Sequence, residues 1–104
     1  MIKLYQNSDN MIHVEIKRGG VIAPAEDFTD AEYILFTKNN REVYRTKLDN
    51  ITVENGVFVI WIPKDIITGV FDEFLYHQFV VWNLEGRKLP PVFSEKAQVI
   101  TVMK

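Results

Sequence analysis

Gly56-Val57-Phe58-Val59-Ile60-Trp61-Ile62-Pro63 is the stretch that decides the fold of this chain. The turn signal Glu54-Asn55-Gly56 opens an unbroken apolar run, and Pro63 closes it. β-Branched and aromatic side chains fit a pleated surface, so the run reads as a buried strand punctuated at both ends. A second run, Phe74 to Trp82, ends in the turn Asn83-Leu84-Glu85-Gly86. Upstream, Met11 to Lys17 sets Ile12, Val14 and Ile16 against His13, Glu15 and Lys17, the alternation of a half-buried strand.

The remaining segments follow the same punctuation. Ile2 to Tyr5 is a short extended piece, Arg18-Gly19-Gly20 is a turn, and Pro24 makes Val21 to Ala25 an edge or irregular segment. Glu32 to Thr37 and Glu42 to Leu48 form a hairpin across Lys38-Asn39-Asn40-Arg41, where asparagine tolerates a positive φ. Ile51-Thr52-Val53 is short and extended, and Pro63 with Gly69 brackets one helical turn. The long aromatic strand is expected over Phe71 to Trp82. Lys88 to Phe93, interrupted by Pro90-Pro91, belongs at an edge. Gln98 to Met103 alternates Val99, Thr101 and Met103 against Ile100 and Val102. Seven to eight short strands at regular spacing predict an all-β, antiparallel β-sandwich in a single domain, residues 1–104.

Composition agrees with one self-supporting core. The chain has 104 residues, 47% of them hydrophobic, with seven Phe, four Tyr and two Trp to fill an interior. With no cysteine, a disulfide framework and a thiolate metal site are excluded. A formal charge of −2 argues against a nucleic-acid partner, which calls for a basic stripe. Lys17-Arg18 and Arg87-Lys88 each adjoin a glycine and read as solvated turn charges. The N-terminal residues lack a signal-peptide pattern, and no apolar run approaches the ~18 residues of a membrane span. A soluble protein without nucleic-acid or membrane partners is the expectation.

Candidate chemistry is sparse. His13 falls on the polar side of its strand, whereas His77 sits inside the aromatic run between Tyr76 and Gln78. No H-x-H or H-E-x-x-H spacing accompanies them, so no metal site is expected. Asp27 and Asp30 flank Phe28-Thr29. Calcium would need six to eight oxygens, and local side-chain bonds that shape the turn are the simpler reading. Asp72 and Glu73 point to opposite faces if extended, which defeats paired acid–base work. Ser8 and Ser94 lack a nucleophile-elbow context. No catalytic residue, metal or cofactor is expected, and the chain is not read as an enzyme.

Apolar surplus is the stronger signal. The strands at 57–62 and 74–82 are apolar or aromatic on both faces, although a sandwich normally wets one face of each sheet. Either Phe58, Ile60 and Ile62 fill the core while Val57, Val59 and Trp61 face out, or the sides are swapped. Likewise Val80 and Trp82 oppose Phe79 and Val81. Covering loops account for the second face on one reading, and a protein–protein interface on the other.

In order, these segments resemble the immunoglobulin-like modules of tailed-phage virion proteins, notably the N-terminal domain of baseplate upper proteins. The likeness runs over roughly residues 10 to 102. It rests on Asp27-Phe28-Thr29-Asp30-Ala31 before the strand Tyr33 to Phe36, Asn55-Gly56 before Val57 to Pro63, Thr68-Gly69, the strand Phe74 to Trp82, and Leu84-Glu85-Gly86-Arg87. That family starts its strand with Asp-Leu-Thr-Gly-Ala, so Phe28 replaces leucine and Asp30 glycine; Val70-Phe71 stands where Gly-x-Tyr is usual. The resemblance implies an Ig-like β-sandwich acting as a structural virion protein. A stand-alone module implies an auxiliary or decoration subunit on the capsid, made in the host cytoplasm and carried in the virion in many copies. A baseplate or tail adaptor is the alternative position. The partners implied are the major capsid protein or baseplate and tail subunits. Trp61, Trp82, Pro91 and Phe93 are the expected contact residues. A rival of another class is a carbohydrate-binding module that stacks sugars on Trp82 or Tyr76.

Overall fold

In the computed structural model, which describes residues Met1 to Thr101, the punctuated run becomes the strand Val57–Ile62 at the centre of a three-stranded sheet. Ten strands occur among the described residues: β1 Ile2–Tyr5, β2 Asn10–Val14, β3 Ile16–Arg18, β4 Val21–Ala23, β5 Asp30–Phe36, β6 Glu42–Lys47, β7 Thr52–Glu54, β8 Val57–Ile62, β9 Phe74–Trp82 and β10 Phe93–Ile100. Among the described residues a single α-helix, α1 Lys64–Thr68, joins β8 to β9, and short 3-10 turns lie at Ala25–Asp27 and Leu48–Asn50. One sheet has the order β1-β10-β9-β5-β6, the other β2-β8-β7, and β3-β4 is a separate hairpin. Crossing repeatedly between two sheets in this order gives an Ig-like sandwich, with β5, β9 and β10 as the C, F and G strands and β2, β8 and β7 as B, E and D. The β1–β10 pair is parallel, and every other pairing among the described strands is antiparallel.

Local chemistry sets the turns. Asn55 (φ 52°) and Gly56 (φ 79°) supply the two left-handed residues that let Glu54 pair with Val57 in a tight hairpin. Gly19 and Gly20 do the same between Arg18 and Val21. The 37–41 hairpin turns on Asn40 at φ 63°, and a register shift at Leu35/Phe36 bulges its return strand.

Alternation then builds the core. Phe58, Ile60 and Ile62 of β8 face Leu75, Phe79 and Val81 of β9, and all six are buried. Phe58 and Phe79 meet edge-on across the layers, with ring centroids 5.2 Å apart. Asn10 ties the sheets at the β1–β2 crossover. Its Oδ1 accepts from Tyr5 N–H (2.8 Å), and its Nδ2 donates to Tyr5 O (3.0 Å) and Ser8 O (3.1 Å). A buried amide thereby replaces the ladder that the chain loses on changing layers.

The ten strands exceed the seven to eight expected, and of the boundaries that moved three moved furthest. The Met11–Lys17 strand breaks at Glu15, because its first part pairs with β8 and its second with β4. The long strand begins at Phe74, and Phe71 is 92% exposed ahead of it. The last strand starts at Phe93 rather than Gln98, since the segment after Pro91 pairs with β9 from Phe93 to Gln98. The alternation expected to continue through Val102 and Met103 lies outside the described residues.

Candidate functional site

β9 carries chemistry on both sides. Inward, His77 is buried between β5 and β10, with Tyr33 Oη 3.1 Å from its Nδ1. The Phe93 ring lies 4.6 Å from the imidazole, and Phe93 stacks on Phe79. His77 Nε2 is 3.5 Å from Glu95 Oε1, too long for a hydrogen bond, and has no other partner. The Tyr33 hydroxyl can donate to Nδ1 or accept from it; in the tautomer where it donates, the ring proton sits on Nε2 and faces the Glu95 carboxylate. Burial pushes the His77 pKa below its ordinary value, and the Glu95 charge opposes that shift. Burial pushes the Tyr33 hydroxyl upward. At neutral pH the pair is therefore an uncharged polar inset in an apolar core. His13 lies exposed on the other sheet, opposite Val59.

Outward, β9 presents Phe74, Tyr76, Gln78, Val80 and Trp82, and neighbouring strands cover much of this row. Lys96 Nζ lies 5.5 Å from the Phe74 ring centre, and Lys88 Nζ 5.9 Å from that of Trp82. Tyr76 stacks on its cross-strand partner Phe36, centroids 5.9 Å apart and planes 20° apart. Val80, only 1% exposed, pairs with Glu32, which holds Arg45 at 2.8 Å and Lys47 at 3.9 Å. Beside this row opens a cavity of about 510 Å3 lined by Lys38, Asn39, Asp72, Glu73, Phe74, Tyr76 and Lys96. Asp72 and Glu73 precede the strand, so alternation does not part them and both reach the same cavity.

The outer face of β8 is barer. Trp61 is 49% exposed beside its cross-strand partner Met11, 47% exposed. Pairing with β7 stops at Val59, so no residue of β7 flanks Trp61. Its backbone is held instead from the other layer, where the Tyr44 hydroxyl donates to Trp61 O at 3.2 Å.

The four expected contact residues do not share one surface. Trp61 and Trp82 lie on the outer faces of different sheets. Pro91 is exposed in the segment between Lys88 and β10, and Phe93 is half-buried on the inward side against His77. Near Pro91, a recess of about 450 Å3 is lined by apolar Phe28, Val81, Leu89, Pro90 and Val92 and by charged Glu15, Lys17 and Arg18, whose guanidinium lies 5.3 Å from the Phe28 ring centre.

The acidic turn is tied into the fold. Thr29 Oγ1 donates to Asn83 O (2.9 Å), a link across the sheet rather than a local one, and Asp30 Oδ1 accepts from Ala31 N–H (2.8 Å). Among the described residues no cluster of three or more His, Asp or Glu side chains is arranged to hold a metal ion. Sequence reasoning singled out Tyr76 but missed Lys38, Asn39 and Lys96. They come from a hairpin and a strand distant in the chain, and nothing in their local sequence marks them.

No protein-family model matches the chain, and no curated protein matches it. It is similar to a solved structure from work on host cell surface retention of a 1.5-MDa bacterial ice-binding adhesin, with a TM-score of 0.45 and 15% identity. The match covers 95% of this chain and 28% of that one, so this chain spans little more than a quarter of that structure's length. Likeness at that level carries no argument about role.

Proposed function

We propose that this protein is a structural, non-enzymatic virion subunit that docks on a phage capsid as an auxiliary or decoration protein. The observation that supports the reading is the exposed Trp61–Met11 pair on the outer face of the three-stranded sheet. Tryptophan and methionine are enriched at protein interfaces, and leaving such side chains in water gains the fold nothing. The Tyr44 bond and the β2 ladder fix the backbone under Trp61, so docking orders little that is not already ordered. A footprint of ~800 Å2 at ~25 cal/mol per Å2 is worth up to ~20 kcal/mol gross, most of it offset by the costs of association. Repetition over a symmetric shell adds avidity to a modest single contact.

The test is light scattering of the purified protein followed by co-sedimentation with capsids of the phage that encodes it. A monomer that pellets with capsids, and a folded Trp61→Lys variant that stays in the supernatant, are the expected results. A discrete ring-sized oligomer that ignores capsids would move the assignment to a baseplate or tail adaptor.

A further inference from the structure

The cavity beside Tyr76 has a composition that the docking role does not use. Its wall is aromatic, made by Phe74 and Tyr76, which lie two residues apart on one face of β9. Tyr76 is braced from behind by Phe36, so its ring is fixed before any ligand arrives. Around that wall stand two ammonium groups (Lys38, Lys96) and two carboxylates (Asp72, Glu73), which cancel in charge. None of the four makes an ion pair among the described residues, and the Asn39 side chain and the Tyr76 hydroxyl make no hydrogen bond there either. Lys96 rests over the Phe74 ring, and the remaining donors and acceptors are free around the ring of Tyr76.

We propose that this cleft binds a neutral saccharide, one pyranose ring lying on Tyr76 with its hydroxyls shared among Asn39, Asp72, Glu73 and the two lysines. Balanced charge selects against the alternatives. A polyanion meets both carboxylates, a polycation meets both ammoniums, and an apolar peptide strips water from all four charges without replacing its hydrogen bonds. A sugar hydroxyl donates to a carboxylate and accepts from an ammonium or amide, so a polyol answers both sets. The C–H face of a pyranose carries slight positive charge and fits the electron-rich face of an aromatic ring. A volume of about 510 Å3 lies within the range of small-molecule sites. Shallow sites of this kind bind weakly one at a time.

The experiment is amide-detected NMR titration of the whole chain with a panel of neutral oligosaccharides of glucose, galactose, mannose, rhamnose and N-acetylglucosamine, with heparin fragments as the charged comparison. Saturable shifts centred on residues 38–39, 72–76 and 96 are expected with at least one neutral sugar. Tyr76→Ala should weaken that binding about tenfold or more, and Asn39→Ala by about threefold. Asn39 is exposed at a hairpin tip, so its variant decides the matter should Tyr76→Ala fail to fold. Absence of saturable shifts across the neutral panel overturns the proposal. So do shifts centred elsewhere, a response to heparin alone, or binding that survives both substitutions. Capsid co-sedimentation of Asn39→Ala is expected to be unchanged, which keeps the two proposals separable.

Discussion

β8 and β9 are the two strands whose sequences are apolar on both faces, and the structure treats their second faces differently. In β9 the outer row lies between long neighbours, β5 and β10, whose Glu32, Phe36 and Lys96 side chains reach over it together with Lys88. Val80 is thereby sealed on a face that nominally meets water. In β8 the neighbours are short. Val59, flanked by His13 and Thr52, is 2% exposed, whereas Trp61, one step past the end of β7, stays half in solvent. The lesson is that apolar residues on a sheet's outer face become core or contact surface according to how far the adjacent strands run. Hydrophobicity alone does not decide between them.

The inner faces should not differ at all, and breaking them gives the largest effects. Phe58→Ala and Phe79→Ala are each expected to cost about 3–5 kcal/mol in urea unfolding, because each removes one half of the same ring contact between layers. A markedly smaller loss for one of them would mean that its layer relaxes to fill the gap. Next comes the tie between the sheets: Asn10→Ala leaves Tyr5 N–H and O without their side-chain partner and should cost about 1–3 kcal/mol by thermal or chemical unfolding.

The outer faces are where the comparison sharpens. Trp61→Ala should cost no more than about 2 kcal/mol, since roughly half of the ring is already wet. Val80→Ala should cost about 1.5 kcal/mol although far fewer atoms leave, because those atoms are fully buried. Equal loss per atom removed at the two positions would erase the distinction drawn here.

The smallest effect is a pH dependence. Burial lowers the folded pKa of His77, so on acidification the unfolded chain takes up the proton first. Stability should then fall as pH drops below the ordinary histidine value of ~6.5, and level off beneath the folded value. Comparing wild type with His77→Gln between neutral and mildly acid pH checks this, the variant being flatter over that window.

Much of the architecture was legible in the chain. The punctuated run 54–63, the alternation at 11–17 and the asparagine and glycine turns are local signals, and each appears in the structure with boundaries moved by a few residues. The break at Glu15 was not legible, since which partner strand accepts a residue depends on pairing across the fold. The inward turn of His77 and Phe93 was hidden for the same reason. Alternation fixes which residues share a face but carries no label for which face meets the other layer. The proposed sugar cleft is assembled from the 37–41 hairpin, the 72–76 segment and β10, three pieces that meet only after folding. What the sequence by itself determined is a set of strands and turns, because period and turn chemistry act over a few residues. What the tertiary structure decided is which apolar residues are sealed, which are left to contact others, and which polar groups converge. Those depend on side chains brought together from distant parts of the chain.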